Sequence, residues 1–280
     1  MIGWRSGAAL AAATACLASA CAGAAPSGAG SPPRTPGGPP ATPAPSRSPA
    51  ERLVAADAAL RASLSVWLAS DPRLHGSPPP AVTAAAAGER GIVHRMVVDR
   101  RFATQTLAAL TGRLRASIRG DVAAGRDLLR LTGPPGAGRL RLAAPVAAGA
   151  LLADYRLAQR RFGVPWSTLA AVNLVESAFG RVTNRSAAGA QGPMQFLPAT
   201  WRAYGLGGNV DSPRDAILGA ANYLHLSGAP ARPRRALLAY NPSPLYVEAV
   251  LLYARAIAHD RLGFLTYYAW EASLPASVRG

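Results

Sequence analysis

Residues 173–197 read NLVESAFGRVTNRSAAGAQGPMQFL, and the fold can be worked outward from them. The stretch opens as the end of an amphipathic helix, carries Glu176 in its last turn, and passes through glycines to Met194 and Gln195. Pro165 suits a first helical turn, where its missing N–H would have no partner anyway, and Gly180 suits the position just past the end. Between them Leu169, Val172, Asn173 and Glu176 recur at helical spacing, so the carboxylate shares a face with apolar side chains. Burial there disfavours the charged form, and the negative end of the helix dipole pushes the same way. The Glu176 pKa is therefore expected to rise toward the range useful to a general acid. The plainer role is a cap or an ion pair with Arg181 or Arg185, and helix position alone leaves both open.

The whole chain sets the bounds. It has 280 residues, half of them apolar, with 30 basic residues that are all Arg and a formal charge of +16. That balance suits an anionic partner such as acidic lipid or an acidic wall polymer. The arginines are scattered and no aromatic-interleaved basic motif accompanies them, so no nucleic-acid partner is expected. His75, His94, His225 and His259 lie far apart with no acid or Cys at ligand spacing, and nothing reads as a phosphate-cradling loop or a Ser or Cys nucleophile motif. No metal and no cofactor are expected.

Residues 1–21 have one early Arg and a short Ala-rich run, which reads as an export signal rather than a membrane span. Its end, Leu17-Ala18-Ser19-Ala20-Cys21, resembles a bacterial lipobox, with Ala18 where Leu is usual, and makes Cys21 the expected lipidation site. Ordinary signal cleavage is the alternative. With Cys16 in the same segment, the mature chain has no disulfide pair. Residues 22–47 are almost all Pro, Gly, Ala, Ser and Thr and cannot bury enough apolar surface to offset backbone entropy, so they read as a disordered tether.

Residues 48–133 read as a helical extension. Ser48-Pro49-Ala50-Glu51 is a capping box opening a helix to about Leu68, which Pro72 and Pro78-Pro79-Pro80 break. A long helix follows over 82–118, with Ile92, Met96, Val97, Leu107, Leu110 and Leu114 inward and Gly88 or Gly91 as points of division. A shorter one at 122–131 ends in the boundary loop Gly133-Pro134-Pro135-Gly136. From Pro145 to 270 a second unit is helical nearly throughout: 151–162 ended by Gly163, the Glu176 helix, 198–204 closed by Gly205, 213–227 opened by a second capping box at Ser212 and ended by Gly228, then 234–240 and 244–260. The expected fold class is all-α.

The motifs in order are Glu176-Ser177, Gly189-Ala190-Gln191-Gly192-Pro193-Met194-Gln195, Trp201 and Gly205, Tyr223-Leu224, Ala239-Tyr240-Asn241, and Tyr246-Val247. This series resembles the lysozyme-like lytic transglycosylases of bacterial cell walls, over about 145–257. The resemblance implies a goose-type lysozyme fold and peptidoglycan glycan strands as the partner. It implies Glu176 as the catalytic acid, Ser177 as a supporting hydroxyl, Met194 and Gln195 as residues touching the sugar chain, and Tyr240 and Asn241 as a pair facing Glu176. Trp201 reads as core, and Tyr240-Asn241 could also simply close a helix end. Gly192-Pro193-Met194-Gln195 stands where one branch has Gly-Leu-Met-Gln, and Pro242-Ser243-Pro244 replaces the usual glycine after Asn241, which leaves the branch open.

Glycoside hydrolases commonly use two carboxylates, about 5 to 5.5 Å apart when retaining and roughly 6.5 to 9.5 Å when inverting. Asp154 precedes Glu176 on another helix, and the next acids after it, Asp211 and Asp215, read as a helix start. One working carboxylate is therefore expected, with the substrate's acetamido group as the second. Rival readings are a goose-type muramidase, which needs a group to position water, and a non-catalytic wall-binding lipoprotein. The protein is expected to be a monomer held at the outer face of the cytoplasmic membrane.

Overall fold

The computed structural model describes residues 47–133, 140–274 and 277–278. The export segment with Cys21, nearly all of the tether and the Pro134-Pro135-Gly136 part of the boundary loop lie outside the described residues. Within them the chain is all-α, as expected, apart from one short pair of strands. In order the elements are α1 Pro49–Ser70, α2 Pro80–Val98, α3 Arg100–Ala109, α4 Gly112–Thr132, β1 Leu140–Arg141, α5 Ala148–Phe162, α6 Trp166–Ser177, α7 Pro198–Tyr204, α8 Pro213–Leu226, α9 Pro233–Tyr240, α10 Pro244–His259, α11 Gly263–Ala272 and β2 Ser277–Val278.

Local chemistry explains the helix starts. Glu51 N donates to Ser48 Oγ at 3.2 Å and Ser48 N to Glu51 Oε2 at 2.7 Å, a complete capping box. The second box is half of one: Asp215 N reaches Ser212 Oγ at 3.4 Å, but Asp215 Oδ2 accepts from Asn209 N at 3.0 Å instead. Gly163 ends α5 in the left-handed conformation.

Three boundaries differ from the sequence reading. The long helix expected over 82–118 is divided at Asp99, whose Oδ1 accepts from Phe102 N at 2.9 Å and so caps α3, and again at Leu110 and Thr111. Gly88 and Gly91 stay inside α2, where a side-chain cap at Asp99 outweighs the low helix propensity of glycine. The helix expected to begin at Val122 begins at Gly112. Lastly α11, beyond the expected final helix, is buried nearly all round, and a helix without a polar face has no 3.6-residue period to find.

α10 is the axis of the molecule, lying along α4 on one side and α6 on the other. One core runs through both expected units, taking Leu53, Leu60 and Trp67 from the extension together with Leu169, Val172 and Tyr246. Met96, Val97 and Leu110 are buried as expected, and Ile92, Leu107 and Leu114 partly so. Gly149 seals the join between the units: its N–H donates to Leu74 O at 3.0 Å, and a Cβ there would sit 1.9 Å from Arg73 O.

Polar groups also cross this join. Trp270 Nε1 donates to Glu89 Oε2 at 2.9 Å, Tyr267 Oη to Asp121 Oδ1, and Arg61 pairs with Asp260 at 2.8 Å. A cavity of about 60 Å³ between them is also lined by Asp57 and His259. Burial pushes Glu89 up to about 8 and Asp121 up to about 7, so both stay largely protonated toward neutrality.

Candidate active site

Glu176 is the penultimate residue of α6 and is 1% exposed. Its Oε1 accepts from Tyr246 Oη of α10 at 2.8 Å, while its Oε2 is buried with no partner among the described residues. Burial raises its pKa to about 8, and the Tyr246 hydrogen bond works in the opposite direction. Neither Arg181 nor Arg185 pairs with it: the Arg181 guanidinium donates to the carbonyls of Ala143, Glu271 and Leu274, and Arg185 is exposed. A buried carboxyl with one orphan oxygen is costly as structure alone, which makes it a candidate for chemistry.

The chain leaves α6 through three consecutive left-handed residues, Ala178, Phe179 and Gly180, so the turn starts two residues before the glycine that the sequence marks. The Gly-Pro-Met-Gln loop then folds back against the same helix. Its Pro193 carbonyl accepts from Ser177 Oγ and from Asn173 Nδ2 at 2.8 Å, and Asn173 Oδ1 accepts from Tyr155 Oη at 2.6 Å. From the other side Tyr240 Oη donates to Met194 O at 2.6 Å. Gly192, at φ +74°, lies so close to Val210 that a Cβ would sit 2.0 Å from its carbonyl oxygen.

Of the residues singled out from sequence, Ser177, the Met194-Gln195 loop and Tyr240 meet near the end of α6, in different roles. Ser177 is fully buried and its hydroxyl holds the loop, with Gly180 N donating to it at 2.9 Å. Met194 is fully buried. Gln195 has φ +49°, its Nε2 donates to Gly192 O at 3.0 Å, and its Oε1 is a second buried acceptor with no partner among the described residues. Tyr240 reaches the loop backbone and lies near enough to Glu176 for the carboxylate's charge to raise its own pKa further. Asn241 is buried, with its backbone N–H closing α9 on Leu237 O at 2.8 Å. Trp201 packs edge-on to Phe196 at 5.1 Å, as core.

Sequence reasoning missed the parts that four residues play. Tyr246 was legible only as part of a motif, Asn173 only as a helix-face residue, and the partly buried pair Tyr204 and Tyr223, 4.6 Å apart, continues an aromatic row through Tyr240 to Phe196. A polar Asn one turn before Glu176 on an otherwise apolar helix was the available signal for Asn173. Asp154, the nearest preceding acid, interacts with Arg214 and Asp215 rather than with Glu176. Among the described residues no group of three His, Cys, Asp or Glu is placed to hold a metal.

The family model described as Transglycosylase SLT domain matches residues 155–259, from within α5 to the end of α10. Neither the curated proteins nor the solved structures gave a match. Those residues include every motif quoted from the sequence, together with Glu176 and its neighbours Tyr246 and Tyr240, so this all-α part of the chain is similar to the transglycosylase SLT domain.

Proposed function

We propose that the protein cleaves the bond between N-acetylmuramic acid and N-acetylglucosamine without water, leaving 1,6-anhydro ends, with Glu176 serving first as acid and then as base. The observation that carries this reading is the state of Glu176: buried, held on one oxygen by Tyr246, its other oxygen free, and protonated up to about pH 8. Such a carboxyl can donate its proton to the glycosidic oxygen. The substrate's acetamido oxygen stabilises the positive charge that develops on the sugar. The ionised Glu176 then takes the proton of the muramic C6 hydroxyl as that oxygen closes the anhydro ring.

A second protein carboxylate is not needed for this sequence, and burial and the Tyr246 hydrogen bond are the influences acting on Glu176. Tyr246 is the positioning residue for the acid. Met194, Gln195, Tyr240 and Asn241 are proposed to line the sugar site, and Ser177 to hold the loop that carries the first two. Cys21 is proposed as the lipid anchor of an exported monomer facing the cell wall.

The test is mass spectrometry of products released from purified peptidoglycan by the full chain, beside Glu176→Gln. Anhydro-muropeptides from the wild type alone are expected. Reducing-end products would move the protein to the muramidases, and the same products from both chains would remove Glu176 from the mechanism.

A further inference from the structure

The helical extension has no role in the chemistry above, yet its α4 carries an ordered basic edge. Arg115, Arg119, Arg126 and Arg130 are spaced so that they fall within an arc of about 60° on the helix, beside the buried face of Ile118, Val122 and Leu128. Arg126 is pinned, with Nε donating to Val97 O at 3.1 Å and an η nitrogen to Met96 O at 2.8 Å, the last carbonyls of α2. Arg100 and Arg130 stand close enough to hold its pKa below the usual guanidinium range, after burial as the larger cause. Asp127, which pairs with Arg130 at 3.0 Å, is the one acid in an ion pair with this edge among the described residues. Like charges have been gathered here with little internal compensation.

Two further observations say what covers the edge. Val98, the residue after the carbonyls that Arg126 holds, is 55% exposed, so an apolar side chain is presented to solvent at the point where Arg126 is pinned. The tether enters at the other end: Arg47 and Ser48 line one surface hollow with Ala109, the last residue of α3 and three before α4 begins. Only the 26 residues 22–47 separate Cys21 from Ser48, so an anchor at Cys21 keeps this edge close to a bilayer.

We propose that the Arg115, Arg119, Arg126 and Arg130 edge of α4 seats the protein on the anionic phospholipid headgroups of the membrane to which it is tethered. Arginines meet phosphates in paired hydrogen bonds, and Val98 suits the apolar boundary just beneath the headgroups. The seat fixes which way the catalytic unit faces. The tether argument rests on the proposed anchor; the binding itself does not depend on catalysis.

The experiment uses the full chain with Cys21→Ser, so that no acyl chain is attached, and measures co-sedimentation with phosphatidylglycerol-containing and pure phosphatidylcholine vesicles. A triple variant, Arg115→Gln, Arg119→Gln and Arg130→Gln, leaves the structural Arg126 intact. The control removes the same charge from exposed positions elsewhere, Arg156→Gln, Arg160→Gln and Arg235→Gln. At about fivefold per arginine, the triple variant is expected to lose about a hundredfold of its binding to anionic vesicles while the control stays within threefold. Should the triple variant fail to melt like the wild type, Arg119→Gln alone, exposed and without an ion-pair partner among the described residues, is expected to lose about fivefold. Equal losses in both variants would reduce the effect to net charge and overturn the proposal, as would unchanged vesicle binding. Loss of binding to a poly(glycerol phosphate) wall polymer but not to vesicles would overturn it in favour of that polymer.

Discussion

At the scale of single residues, the site rests on one carboxyl and the groups that hold it. Glu176→Gln should lower product formation by about 10²- to 10⁴-fold while leaving the melting temperature unchanged or raised, because the amide removes a buried ionisable group. On the proposed mechanism Glu176 acts in its protonated form, and with its pKa raised to about 8 wild-type kcat/KM should fall as pH rises through that value. The Tyr246 hydrogen bond lowers that pKa, so Tyr246→Phe should move the falling limb to higher pH and cost about tenfold in rate. A pH–rate profile whose limb does not move would separate Tyr246 from the acid. Glu176 was legible because a carboxylate on an apolar helix face is costly unless used. The direct partner of Tyr246 was not, since 70 positions separate it from Glu176 and spacing along a chain does not encode contact across it. The role of Ser177 was hidden for the same reason: its hydroxyl serves a carbonyl 16 residues on.

At the scale of elements, the Gly-Pro-Met-Gln loop is held by few contacts, each of which can be removed. Ser177→Ala deletes one of the two donors to the Pro193 carbonyl and should destabilise by about 1–2 kcal/mol in chemical denaturation. Gly192→Ala should do more, about 3 kcal/mol or above, since it places a Cβ against the Val210 carbonyl at a positive φ. Helices with capping residues and a clear polar face were legible, as at Ser48 and Gly163. Those that failed did so for stated reasons: a side-chain cap at Asp99 divided a pattern the glycines were expected to divide, and α11 has no polar face to read.

At the scale of the whole molecule, the family match and the packing draw different borders. The match stops at residue 259, yet α11 supplies Tyr267, Trp270 and the Glu271 carbonyl that Arg181 holds, and α4 covers one side of α10. Residues 145–280 made alone should therefore give aggregated protein without a cooperative melt. The sequence marked the loop at Gly133 as a boundary because composition reports chain flexibility and says nothing of shared burial. The join also makes stability depend on pH. Glu89 and Asp121 have folded pKa values of about 8 and 7, above the unfolded values near 4, so the folded state binds more protons between them. Stability is fully present below about pH 4 and is lost as pH rises through the folded values, by up to about 1.4 kcal/mol per pH unit for each group. A Glu89→Gln, Asp121→Asn pair, which keeps both oxygen acceptors, should flatten that slope in denaturation curves taken from pH 5 to 9.

The bond from the Trp270 indole to Glu89 gives this join an optical signature. An indole whose N–H faces a carboxyl that gains charge near pH 8 should change its emission as that proton leaves, so the fluorescence of the unlabelled protein carries a titration curve for the seam between its halves. Glu89→Gln would erase that curve while leaving the indole in place, and the difference between the two spectra would let the loosening of the extension be followed in the purified protein without a dye.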